Sequence, residues 1–176
     1  MASAYIKEMR LVQPKGPYRI AGYSAGGTIA YEIANQLIAA DESVEFVGLI
    51  DSEFNSSFNP EDIQRDFDPI KTLMQWLPEN VATASDIVTF QREGNVGGIL
   101  ASLQQSGLVA PEIDEERLLR HLAVAHGTRL AQLTYTPFAI SAPITLFAAA
   151  ETTAKHGADH CHGWKEIAGE NIHVVP

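Results

Sequence analysis

Residues 16–27 read GPYRIAGYSAGG, an apolar run that meets a serine held between glycines just before a helical pattern begins. Upstream of the serine, the apolar run Tyr18 to Gly22 reads as a short strand. Downstream, from Gly26 to Ala40, Ile29, Ile33 and Leu37 recur with Ala30 and Ala34 at three- and four-residue spacing. That spacing predicts a helix with one buried face. Val44 to Ile50 (VEFVGLI) is mostly apolar and β-forming, as a strand covered on both faces should be. Strand, helix and strand within about thirty residues make a βαβ unit, so the two strands should run parallel.

At the corner of that unit, Gly22-Tyr23-Ser24-Ala25-Gly26 fits the pattern G-x-S-x-G in the strand-to-helix context the pattern needs. A serine there is expected to take a strained backbone conformation, with Gly22 and Gly26 required because a side chain at either would collide with the neighbouring strand or helix. The bend projects the hydroxyl at the positive end of the helix, where the Ala25 N–H is free to bind an oxyanion. The bland alternative is a glycine-rich turn with an incidental serine. GxGxxG and the lysine of a Walker loop are both absent, so phosphate binding is the weaker functional reading.

A serine hydroxyl is a poor nucleophile until a histidine takes its proton and a carboxylate orients that histidine. Asp51 ends the next strand, in GLIDS, and so should lie at the same sheet edge as Ser24, where α/β sheets bind ligands. Its bland alternative is a helix cap or a solvated loop acid. Glu53 and Asp66 are nearby acids without that placement.

The rest of the chain has two textures. Ser3 to Arg10 reads as a short helix, and LVQPKGP as a loop. SEFNSSFNPED is polar turn material, and Asp62 to Thr134 reads as helices broken by Pro78, Gly94, Gly97, Gly98, Gly107 and Pro111. The firmest is Asp114 to Leu133, with Asp114 as cap and Leu118, Leu122 and Ala125 on one face. Strand texture returns at Pro143 to Ala150 (PITLFAAA) and at Asn171 to Val175 (NIHVV). The expected organisation is one domain over 1–176: a βαβ core at 17–51, an all-helical insertion at 52–138, and C-terminal strands with a connecting loop at 143–176.

Composition narrows the partners. At 176 residues and 45% hydrophobic, the chain can close one core. A net charge of -10 repels nucleic acid and anionic lipid, so neither is an expected partner. The single cysteine, Cys161, cannot form an internal disulfide. No apolar run reaches the roughly eighteen residues of a membrane span, and MASAYIKEMR lacks a signal-peptide core. The default compartment is the cytoplasm.

GPYRIAGYSAGGTIAYEIANQL followed by VEFVGLIDS resembles the thioesterase domain that ends nonribosomal peptide and polyketide synthetases, a branch of the α/β-hydrolases. The likeness continues through the helical block, LFAAAE and GWKEIAGENIHVVP. It implies a partial α/β-hydrolase fold, mostly parallel, with the helical insertion as a lid over an acyl channel. It also implies that Ser24 accepts an acyl or peptidyl chain from the phosphopantetheine arm of a carrier protein. Water or a nucleophile on the chain then releases it, and no cofactor or metal is bound by the domain itself. Asp51 stands where the family's acid follows the strand after the nucleophile helix.

Two departures accompany the match. The family's histidine follows the last strand, typically as Gly-Asp-His, whereas this sequence ends at Pro176. The family's earlier strands and its His-Pro-Gly-rich turn have no counterpart before ASAYIKEM. The expectation is a domain truncated at both ends, with its base outside the chain and Tyr18 to Gly22 as an unpaired apolar edge. Among the six histidines, His160 in GADHCHGW is the weak candidate base. His156, Asp159, His160, Cys161 and His162 read as a solvated loop rather than a metal site. His121 and His126 read as surface or lid-packing residues, and His173 should alternate along its strand. Leu73, Met74, Trp76, Leu77, Ile99, Leu100 and Leu103 would suit a greasy acyl chain or, for most of them, simply form the insertion's core. The rival readings are a noncatalytic acyl-binding or docking fragment and a general esterase.

Overall fold

Proline decides where the first helix stops. The computed structural model describes residues 1–54, 66–157 and 159–176. Helix α1 (Ala2–Val12) runs past Arg10 because the residue restricted by Pro14 is Gln13, which is extended at φ -129°. Its buried Ala2 and Ile6 join the main core.

Four parallel strands follow, β1 (Tyr18–Tyr23), β2 (Val44–Ile50), β3 (Ile144–Phe147) and β4 (Ile172–Val175), ordered β1-β2-β3-β4. Burial reports their positions. In β2, Val47, Gly48 and Leu49 are all buried, as a strand with neighbours on both sides and cover on both faces requires. In β1, Tyr18 and Ile20 are buried while Arg19 and Ala21 are exposed, and among the described residues β1 pairs with β2 alone. Helix α2 (Ala25–Ala39) connects them and buries Ala30, Ile33, Ala34 and Leu37 of the predicted stripe, with Ile29 partly buried and Tyr31 buried in addition.

PITLFAAA is a strand only over Ile144–Phe147. Alanine favours helix over strand, and helix α8 (Ala150–His156) begins within that run. The connection to β4 then includes α9 (Lys165–Ala168). Of the cluster expected as a solvated loop, Asp159 is exposed but His162 is fully buried, as is Trp164 two residues on. His160 is exposed, and so is His173 in β4.

The chain divides into two compact units, Met1–Glu61 with Gln132–Pro176, and Asp62–Ala131. The first holds the sheet and its core. In the second lie α3 (Pro69–Met74), α4 (Glu79–Ala82), α5 (Ser85–Glu93), α6 (Val96–Gln105) and most of α7 (Glu115–Thr134). Side-chain caps start three of these helices: Asp68 accepts the Lys71 N–H at 3.0 Å, Asn95 that of Gly98 at 2.8 Å, and Asp114 that of Arg117 at 2.7 Å. Leu73, Ile99, Leu100 and Leu103 are buried in that unit's own core with Ile87, Leu118 and Leu122, while Met74 and Leu77 pack against it. Trp76 is exposed. His121 is also exposed, and the His126 ring lies tilted against Phe67 with centroids 5.7 Å apart. Among the described residues, no helix is long and apolar enough to cross a membrane.

Candidate active site

A single residue, Ser24, separates the end of β1 from the start of α2. Ser24 sits at φ 51°, ψ -121°, a conformation non-glycine residues rarely hold, and its own N–H is donated across the sheet to the Ile50 carbonyl at 2.8 Å. An N-terminal serine ordinarily spends its hydroxyl capping the helix. Here it caps no backbone N–H, and the residue is exposed, so the oxygen is left available to another partner. Ala25 opens α2, and its amide has no carbonyl one turn earlier to accept it. That amide and the helix dipole together place positive potential beside the hydroxyl.

Two glycines make the corner possible, and they are not the expected pair. A Cβ on Gly22 would come within 1.9 Å of the Gly26 carbonyl oxygen, because the first turn of α2 folds back onto the strand. Gly26 itself has nothing within 4 Å of a would-be Cβ, so the steric role assigned to it is not needed. Its neighbour Gly27 carries that role instead: a Cβ there would meet the Ser52 hydroxyl at 2.4 Å. The GG pair at 26–27 was the only sequence signal for this contact.

Register brings the second candidate to the same rim. Tyr23 pairs with Ile50, so Ser24 and Asp51 both leave their strands at the carboxyl end of the sheet. Asp51 too is left-handed, at φ 46°; its N–H is donated to the Phe147 carbonyl at 2.8 Å, and its Oδ1 accepts the Ala149 N–H at 3.3 Å. Asp51 is half-buried, and the amide it accepts belongs to the residue just before α8. Glu53 pairs instead with His156, Oε1 to Nε2 at 3.4 Å.

Beyond Asp51 the loop is held by the segment that precedes α9. The Trp164 indole N–H is donated to the Ser52 carbonyl at 3.0 Å, and the Phe54 N–H to that of His162 at 2.8 Å. Trp164 also lies between Tyr31 and Phe54, with ring centroids at 5.1 and 5.3 Å. Sequence reasoning missed Ser52 and His162, both fully buried. Among the described residues, no group of three or more His, Cys, Asp or Glu is arranged to hold a metal ion. A surface groove of about 380 Å³ is lined by Arg19, Ile20, Ala21, Glu45 and Phe46, none of them a candidate site residue.

The family model described as Thioesterase domain matches residues 1–175. This chain belongs to the thioesterase domain family. Over nearly its full length (99%), the thioesterase fold superposes on part (14%) of a four-domain nonribosomal peptide synthetase in its holo form, bound to AMP and glycine. The TM-score is 0.73 and the identity 26%. It covers 100% of this chain and 62% of the NocB thioesterase domain, solved as a covalent complex with a fluorophosphonate nocardicin G analogue, at TM-score 0.62 and 23% identity. Among curated relatives, Atromentin synthetase nps3 of Serpula lacrymans is 58% identical over 50 residues, 28% of this chain and 5% of that protein. N-(5-amino-5-carboxypentanoyl)-L-cysteinyl-D-valine synthase of Penicillium chrysogenum is 44% identical over 55 residues, 31% of this chain and 2% of that protein. The chain thus spans a small fraction of its curated relatives. Its parallel sheet with flanking helices is the α/β-hydrolase arrangement of the thioesterase domains, as the sequence resemblance implied.

Proposed function

We propose that this thioesterase domain releases an acyl or peptidyl chain from the phosphopantetheine thioester of a carrier-protein partner, with Ser24 as the nucleophile. The observation that carries the reading is the exposed, uncapped Ser24 at a left-handed corner, beside the first amide of α2. Ser24 Oγ would add to the thioester carbonyl, with the negative oxygen received by the Ala25 N–H. Collapse expels the pantetheine sulfur, which takes up a proton as the free thiol and leaves an ester on Ser24. Water, or a hydroxyl or amine on the bound chain, then adds to that ester and returns the proton to Ser24. The first route yields an acid and the second a ring.

Asp51 is assigned to orient and charge-balance the general base, as the shared rim and matched register support. No residue of 1–176 is assigned to the base itself. Gly22 shapes the corner, Tyr23 precedes the nucleophile, and Gly26 keeps its place in the motif without a steric duty. Membership of synthetases among the relatives supports a carrier-bound substrate, and the chain's acidity disfavours polyanionic ones.

The test is covalent capture. Incubated with a fluorophosphonate or an acyl-thioester mimic, the protein should gain one adduct mass on the peptide containing Ser24, and Ser24→Ala should gain none. Labelling no faster than that of free serine would favour the acyl-binding fragment. Turnover of short soluble esters with no response to carrier-bound thioesters would favour a general esterase.

A further inference from the structure

A cluster of titratable groups outside the assigned roles lies by the Asp51 loop: His156, His162, Glu53 and Asp159. We propose that His162 is a positioning residue for this loop, one that holds residues 51–54 in place only while its ring is uncharged. The inference rests on reading Asp51 as the orienting acid.

Residues 162–164 meet residues 52–54 through one backbone bond, one indole bond and one close approach. His162, left-handed at φ 49°, accepts the Phe54 N–H, and Trp164 reaches Ser52. Between them Gly163, at φ 82°, lies so close that a Cβ would come within 1.7 Å of the Phe54 carbonyl oxygen. This turn is itself tied by Asp159, whose carboxylate accepts the amides of Cys161 at 3.0 Å and Gly163 at 2.6 Å.

The ring's protonation state follows from counting hydrogens. Thr153 has one hydroxyl proton, and it goes to the Ala149 carbonyl at 3.0 Å. Toward His162 Nε2, 3.2 Å away, the same oxygen must therefore accept. Nε2 carries the hydrogen and Nδ1 keeps its lone pair. Nδ1 is buried and has no hydrogen-bond partner among the described residues, which a lone pair tolerates better than an N–H would.

A second proton could go only on Nδ1. There it would become a buried donor with no described acceptor, on a ring stacked at 4.6 Å against His156. The chain of bonds runs on to the acid: His162 to Thr153, Thr153 to the Ala149 carbonyl, and the Ala149 N–H to Asp51 Oδ1. A ring that turns to solvate Nδ1–H breaks this chain at Thr153, and with it the link from α8 to the Asp51 loop.

The charged groups facing His162 are His156 on α8, Asp51 and Glu53 on the loop after β2, and Asp159 in the turn. Burial first, then His156, hold the ring below the ordinary histidine value of about 6.5, against the opposing pull of the three carboxylates. Glu53 is already engaged with His156, and Asp159 with its two amides.

The experiment follows two readouts on the full chain between pH 8 and 5: the NMR signals of the His162 ring and the Trp164 indole N–H, and the rate at which a fluorophosphonate labels Ser24. At neutral pH the His162 ring should be the Nε2–H tautomer. The Trp164 signal should move with one midpoint below 6.5, and labelling should be about tenfold slower one pH unit beneath that midpoint. His162→Phe should abolish the Trp164 titration and the matching acid limb of labelling. His156→Phe, which keeps the stacked ring without its charge, should raise the midpoint. An Nδ1–H tautomer, or a Trp164 titration that survives in His162→Phe, overturns the proposal. If His162→Phe does not fold, Thr153→Val carries the test, since it removes the acceptor that fixes the tautomer; an unchanged tautomer and midpoint overturn it equally. Absence of labelling at every pH overturns the role of Ser24, and the Trp164 titration then decides His162 alone.

Discussion

Replacing Gly22 by alanine is the sharpest perturbation this corner offers, with Gly26→Ala as its internal control. A methyl at residue 22 would stand 1.9 Å from the Gly26 oxygen, 2.1 Å from its carbonyl carbon and 2.6 Å from the Gly27 nitrogen. All three are backbone atoms in the first turn of a fifteen-residue helix, so none can swing aside as a side-chain tip could. Ordinary carbon contacts need about 3.5 Å, and the helix would have to retreat from the strand by more than about 1 Å. That retreat pulls against the Ser24–Ile50 hydrogen bond and the packing of Tyr31 and Ala34. Overpacking of this kind costs about 3 kcal/mol or more, and for a domain of this length each kcal/mol moves Tm by about 2–4 °C. Gly22→Ala should therefore melt about 6–12 °C below the native chain. Gly26→Ala sits in helical backbone with open space around it and should gain about 0.5–1 kcal/mol from helix propensity. Thermal unfolding followed by far-UV circular dichroism separates the two. Equal melting temperatures, or a Gly26→Ala protein as unstable as Gly22→Ala, would refute the account of the corner.

Trp164→Phe leaves the buried Ser52 carbonyl without its donor and thins the stack on Tyr31 and Phe54; a loss of about 2 kcal/mol in urea unfolding is expected. Glu32 offers a pH test. Burial acts to raise its pKa, but hydrogen bonds from Tyr135, Gln36 and Asn35 outweigh it, and the net shift is downward. Its contribution should be present above the ordinary carboxylate value and fade as pH falls through the lowered one, so Tyr135→Phe should flatten the acid side of the Tm–pH curve. Tyr31, pushed up to about 12 by burial, donates its hydroxyl to Phe138 O at 2.8 Å; Tyr31→Phe should cost about 1 kcal/mol by calorimetry. Asp51→Asn should slow fluorophosphonate labelling of Ser24 by roughly 10²-fold or more while leaving Tm within a few degrees.

The βαβ unit was legible because its parts follow simple rules: a short apolar run in β1, a solid apolar run in β2, and three- and four-residue spacing between them. Asp51 could be placed at the rim for the same reason, since parallel neighbours in register must end together. The segment around His162 was not legible. Its residues are polar and without period, and what buries them is the indole of Trp164 reaching a loop 112 positions away. The steric demand within GG at 26–27 was misplaced by one residue, because which glycine meets Ser52 depends on how steeply the helix leaves the strand. PITLFAAA was read too long since alanine carries little information about strand ends.

The left-handed backbone at residue 24 also limits how this corner could change its chemistry over time. A β-branched side chain clashes with its own main chain at positive φ, so threonine, the other natural alcohol, is barred from the position on conformational grounds alone. Cysteine has serine's shape and faces no such bar. A descendant of this domain could trade oxygen for sulfur here in one step, whereas the change to threonine would require rebuilding the corner first.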